Sequence, residues 1–140
     1  MNDANLAAPR STHELLLIED HPLVRAALAV ALRSEDFNVH AVGTATEGLA
    51  KLSEFPAIAA VVLEIELGPA SADGFLFVEA ARAVRPDIGV VFLTGRPDLL
   101  EGRGPSPGEV GLVKPCPVPS IAKAVRTVIG KGKRTPSTLH

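Results

Sequence analysis

The chain reads as an α/β protein, a doubly wound parallel sheet of five strands built from five strand–helix units, (βα)5. Three observations predict it. Short apolar runs alternate with stretches of helical spacing along most of the chain. The runs are continuous rather than alternating, as in strands buried on both faces. Several of them stop abruptly on a charged or hydroxyl residue. At 140 residues one domain is expected, with a core large enough to fold without staples.

Residues 1–12 are small, polar and non-periodic, and read as a flexible N-terminal arm. Leu15 to Ile18 is the first strand, stopping at Glu19 and Asp20. Pro22 suits the first turn of a helix. Behind it Leu23, Ala26, Ala27, Val30 and Ala31 recur at helical spacing. Asn38 to Val42 is the second strand. Thr44 and Glu47 form a T-x-x-E capping box for a helix to about Ser53, and Pro56 breaks it. Ile58 to Leu63 is the third strand and ends on Glu64. A loop of small residues, 68–74, leads to a helix from about Phe75 to Val84. Ile88 to Leu93 is the fourth strand, ending at Thr94-Gly95. Between Arg96 and Gly108 three prolines and three glycines leave only Asp98 to Glu101 for a helical turn, so the fourth helix is short or disordered. Val110 to Val113 is the fifth strand, ending at Lys114-Pro115. Pro119 and Ser120 open a last helix with Ile121, Ala122, Val125, Val128 and Ile129 on one face. Residues 13–130 form the domain, and 131–140 read as a flexible basic tail with Lys131, Lys133 and Arg134.

Composition excludes several functions. One cysteine, Cys116, cannot form an internal disulfide. A net charge of −2, no Trp, no Tyr and five Phe argue against nucleic acid. No apolar run approaches the roughly 20 residues of a membrane span. The first dozen residues lack the apolar region of a signal peptide. Cytoplasm is the default location.

Parallel α/β folds carry their chemistry at the carboxyl ends of the strands. Here those ends offer Glu19, Asp20, Glu64, Thr94 and Lys114. Converging carboxylates repel one another unless a cation neutralises them. A hard divalent cation such as Mg²⁺ suits a few carboxylates, water and a phosphate oxygen. The hydroxyl and the ammonium suit an anionic group carried on a carboxylate. The residues point to a Mg²⁺-assisted phosphoryl site on a flavodoxin-like fold.

LLLIED, VVLEIEL, FLTG and LVKP, in that order on the first, third, fourth and fifth strands, resemble the receiver domain of two-component response regulators. The resemblance spans about residues 13–130. It implies strand order 2-1-3-4-5 and a phosphorylation switch. Residue 64, at a spacing of 44 from Asp20, falls on the phospho-accepting position. Glu19 and Asp20, with Glu64 and the backbone carbonyl of Glu66, would hold Mg²⁺. Thr94 and Lys114 would bind the phosphoryl group. Lys114-Pro115 is a candidate cis peptide. The donor would be a sensor histidine kinase or a histidine phosphotransfer protein, and a homodimer through the first or last helix is compatible with the family.

Four departures stand out. Where the family has aspartate the acceptor position holds Glu64, whose extra methylene carries its oxygens roughly 1.5 Å further out. A natural non-phosphorylated receiver, an engineered replacement of a native aspartate, and a slow acceptor all fit this residue. Glu64 would either mimic the phosphorylated state or pair with Lys114. Gly111 stands where the family usually has Tyr or Phe. The loop after the third strand looks about two residues longer than usual. The depleted fourth helix, with FLTG, is similar to a receiver subclass with a Phe-Ala-Thr-Gly motif.

His21 reads as a surface residue at a helix entry. His13, His40 and His140 show no metal-ligand spacing to each other or to Cys116, which reads as a small buried hydrophobe. Lys123, Arg126 and Lys131 form an exposed basic edge. Two other functions compete with the signalling receiver. One is a pseudo-receiver scaffold that binds without phosphorylation or metal. The other is a phosphatase with an aspartate nucleophile, which wants a D-x-D pair where this chain has Glu-Asp-His-Pro. The chain is expected not to be an enzyme.

Overall fold

The computed structural model describes residues 12–67, 73–103 and 106–129. The expected arm, apart from Thr12, the tail 131–140, residues 68–72 of the small-residue loop and His140 lie outside them. Five strands form one parallel sheet: β1 (His13–Ile18), β2 (Phe37–Val42), β3 (Ile58–Glu64), β4 (Gly89–Thr94) and β5 (Glu109–Val113). Their spatial order is β2-β1-β3-β4-β5, as expected. The helices are α1 (Pro22–Arg33), α2 (Ala45–Glu54), α3 (Asp73–Val84), α4 (Pro97–Arg103) and α5 (Val118–Val128).

The two-residue period of the strands divides the core. Leu15, Leu17, Ala60, Val62, Val91 and Leu93 point to one face, where they pack with Ala29 and Leu32 of α1 and Ile121, Ala122 and Val125 of α5. Leu16, Ile18, Val61, Leu63, Val90 and Phe92 point to the other, with Leu52 of α2 and Phe77, Val78 and Ala81 of α3. This double burial is why the strands read as continuous apolar runs.

Local chemistry sets the helix starts. His21 caps α1, its Nδ1 accepting from the Val24 N–H at 3.4 Å, with Pro22 in the first turn. Thr44 caps α2 by accepting from the Glu47 N–H at 3.1 Å. The Glu47 carboxylate returns one residue earlier than a standard capping box, accepting from the Gly43 N–H at 3.1 Å.

Three expectations change. Most elements run one or two residues beyond their sequence bounds. The fourth helix is present, at seven residues, longer than the single turn the Pro and Gly content suggested. Four of the five apolar residues that mark α1 lie on its outer face. Leu23 and Val30 are 76% and 63% exposed, and Ala26 and Ala27 are exposed between them. Ala29 and Leu32 make the buried contacts instead.

Candidate functional site

The parallel register brings the strand ends to one edge. Ile18 lies opposite Leu63, Glu64 opposite Leu93, and Thr94 opposite Val113. Backbone bonds continue the pairing past the strands. The Glu19 N–H donates to Val42 O at 3.0 Å, Ile65 N–H to Leu93 O at 3.1 Å, and Lys114 N–H to Thr94 O at 2.8 Å. Glu19, Asp20, Glu64, Thr94 and Lys114 therefore all come to this edge. The start of α3 closes on it from one side. The Gly74 N–H donates to Ile65 O at 2.7 Å, and a Cβ on Gly74 would lie 2.3 Å from Glu64 O, so only glycine fits that approach.

Glu64 and Lys114 face each other directly. The Lys114 ammonium donates to Glu64 Oε2 and forms an ion pair with it. Burial pulls the Lys114 ammonium down, but the hydrogen bond and charge of Glu64, with the charge of Glu19, outweigh it and hold the group above its ordinary value.

Glu19 is 5% exposed. Its carboxylate accepts from the His21 N–H at 3.1 Å. Burial pushes its pKa up, and the charges of Glu64 and Asp20 add to the rise against the His21 bond. Asp20 is exposed beside it. Arg25 donates to the Glu19 carbonyl at 2.8 Å, leaving the Glu19 carboxylate to its acidic neighbours.

Thr94 is 1% exposed. Its Oγ1 accepts from the Arg96 N–H at 2.9 Å and donates to Arg96 O at 3.3 Å. The hydroxyl is thus engaged with the β4–α4 turn and not with Glu64. Arg96 did not emerge from the sequence as a site residue. Its guanidinium bonds Asp98 at 2.8 Å and lies 3.7 Å from Glu66. Asp98 holds Arg96 above its ordinary value, first by their hydrogen bond and then by charge. Glu66 and Arg96 each stand two residues past a strand end on adjacent, in-register strands. That equal offset was the signal available in the sequence.

The Lys114–Pro115 peptide is cis. Gly111 leaves a notch over β5 that Leu100 of α4 fills: a Cβ at 111 would lie 2.5 Å from Leu100 Cδ2. An aliphatic residue from the helix occupies the neighbourhood where the sequence lacks an aromatic. Cys116 is half-buried, and burial raises its thiol pKa against the pull of Lys114. His13 is exposed, and His40 bonds Glu14 at 2.8 Å.

The donor chemistry bears on Mg²⁺ in two ways. Adjacent carboxylates on Glu19 and Asp20, one buried and raised by its neighbours, suit a hard cation that keeps several waters. The third carboxylate, Glu64, is engaged by Lys114. Among the described residues no three His, Cys, Asp or Glu side chains are grouped as a ready metal cluster. The fit is to a two-carboxylate, water-rich site. No helix among the described residues is long and apolar enough to cross a membrane.

Known proteins share this fold. A response regulator of Rickettsia conorii described as NtrX-like is 32% identical over 82 residues, 59% of this chain and 17% of that protein. The chain thus spans under a fifth of the curated relative it matches. A response regulator receiver protein of Sinorhizobium medicae has the same fold, with a TM-score of 0.75 at 21% identity over 88% of this chain and 98% of that one. A CheY-like receiver domain protein of Methanospirillum hungatei superposes with a TM-score of 0.70 at 20% identity, over 87% and 97% of the two chains. Residues 15–126 match the response regulator receiver domain family. On that match the chain belongs to the response regulator receiver domains of two-component systems.

Proposed function

We propose that this receiver works in the cytoplasm through protein contacts, with its acceptor position fixed by Glu64 rather than cycled by phosphorylation. The observation that carries this reading is the Lys114 ammonium bonded to the Glu64 carboxylate. In a phosphorylated receiver that ammonium would meet the phosphoryl group. Here a carboxylate of the chain already takes it. Thr94 remains tied to the Arg96 backbone, so only one of the two phosphoryl-binding groups is engaged. This favours a fixed unphosphorylated receiver over a full mimic of the phosphorylated one.

Glu19 and Asp20 would hold Mg²⁺, with the Glu66 carbonyl as a further oxygen. The ion would screen the acidic cluster and supply a positive centre for an incoming phosphoryl oxygen. The partner is a sensor histidine kinase or a histidine phosphotransfer protein, which the chain would engage without taking the phosphoryl group. Nucleic acid and membrane are not expected partners, and no turnover as an enzyme is expected.

Intact mass after incubation with acetyl phosphate and Mg²⁺ tests the reading, run beside Glu64→Asp. A phosphoryl adduct on the aspartate variant alone is the expected result. An adduct on the unaltered chain would overturn the fixed-state reading. No adduct on either would favour the scaffold without phosphorylation.

A further inference from the structure

Glu19 is held at each of its polar ends. Its N–H donates to Val42 O at 3.0 Å, its carboxylate accepts from the His21 N–H at 3.1 Å, and its carbonyl accepts from the Arg25 guanidinium at 2.8 Å. The first two partners are backbone groups. The third is a charged side chain from α1.

Arg25 stands one turn into α1. Side chains on a helix lean toward its N-terminus, so Arg25 reaches back over the β1–α1 loop. Glycine at position 43 leaves it room. A Cβ there would lie 2.7 Å from Arg25 Nη1 and 3.5 Å from its Cζ. The Gly43 N–H in turn donates to Glu47 Oε1 at 3.1 Å, which ties this seat to α2.

The Glu19 carbonyl belongs to the planar peptide unit that joins Glu19 to Asp20. Holding it fixes how one side chain stands relative to the other. Mg²⁺ demands near-octahedral geometry, so the relative placement of two adjacent carboxylates decides whether one ion meets both. We propose that Arg25 is a positioning residue for the acidic pair, setting the Glu19–Asp20 peptide from a seat that Gly43 provides. This role presupposes that Glu19 and Asp20 hold Mg²⁺. A guanidinium on either carboxylate would compete with the ion. On the carbonyl it orients the carboxylates and leaves their charge for the cation.

Mg²⁺ affinity by isothermal titration calorimetry separates positioning from charge by its sign. Arg25→Met removes a positive charge beside the site, which by itself would tighten cation binding. Lost positioning weakens it instead, by about tenfold, the lower range for a group that orients a metal ligand. Arg25→Lys keeps a cationic donor and is expected to restore most of the affinity. Gly43→Ala retains Arg25 but drives its guanidinium from the seat. The crowded atoms are the far end of a flexible side chain, so this variant is expected to fold and to bind Mg²⁺ more weakly than the unaltered chain. Circular dichroism checks folding, and Gly43→Ala carries the test should Arg25→Met fail it.

The His21 amide proton reports the Glu19 carboxylate without metal, since the two are bonded. Its NMR resonance is expected to move toward that of an unbonded amide in Arg25→Met and Gly43→Ala, and to stay near its place in Arg25→Lys. Equal or tighter Mg²⁺ binding by Arg25→Met, a lysine variant no better than methionine, or a His21 resonance unmoved in both variants would each overturn the proposal. An unaltered chain that binds no Mg²⁺ would overturn the metal reading instead, and the His21 resonance then decides for or against Arg25 on its own.

Discussion

On one side of the strand-end site Glu64 meets Lys114. On the other, Glu19 and Asp20 meet each other, with no ion-pairing cation on either among the described residues. The residue types are alike and the strand register treats them alike. The difference lies in what each carboxylate faces. Lys114 is held protonated by its acidic neighbours in spite of its burial. Glu19 is pushed toward its neutral form by burial and by the charges of Glu64 and Asp20. Neutralising charge therefore resides with Lys114 on one side and is lacking on the other, where a cation from solution would act.

Removing the open side should give the largest effect. Asp20→Ala is expected to abolish Mg²⁺ binding measured by isothermal titration calorimetry. Unchanged binding in that variant would place the ion elsewhere.

Removing the closed side should cost stability. Lys114→Met leaves Glu64 facing Glu19 without its cation and is expected to lower stability by about 1 kcal/mol, the upper range for a partly exposed pair. That corresponds to a fall in Tm of roughly 3 °C for a domain of this size. The pH dependence has a definite sign. Lys114 has a folded pKa above its ordinary 10.5. Its contribution is fully present below that ordinary value and is lost as pH rises through the folded one. The two melting curves should stay apart through neutral pH and converge only in strong alkali.

Glu19→Gln should act in the opposite direction and more weakly. The folded protein holds the Glu19 proton more tightly than the unfolded chain. Stability therefore falls as pH rises from the ordinary carboxylate value of 4.5 through the raised one. Glutamine removes that loss and can still accept from the His21 N–H. A gain in stability at pH 7 without metal is expected, read as a small rise in Tm. Added Mg²⁺ should erase the advantage, since it stabilises only the carboxylate form. A fall in Tm without metal would contradict the repulsion.

The fold and most of the site were legible in the sequence because strands buried on both faces leave an unmistakable apolar signature. The charged residues that end them fall on one edge by topology alone. Three features were less legible. The exposed stripe on α1 has the spacing of a core face, and periodicity identifies a helix without saying which apolar face is covered. The fourth helix forms despite the Pro and Gly content around it because Leu99 and Leu100 pack on the core, a tertiary contact that local propensity does not contain. Arg96 was hidden because its role depends on the side chains of Glu66 and Asp98 and on the Thr94 hydroxyl, which meet only across the sheet edge and the turn after β4.

The central claim is that Glu64 holds Lys114. It is tested most directly by titrating the lysine side chains by NMR in the unaltered chain and in Glu64→Gln. In the unaltered chain Lys114 should titrate above its ordinary 10.5. In the glutamine variant the charge of Glu64 is gone while burial, which pulls the ammonium down, remains, so Lys114 should move to a lower pKa. A Lys114 that titrates at the same pH in both proteins would contradict the account.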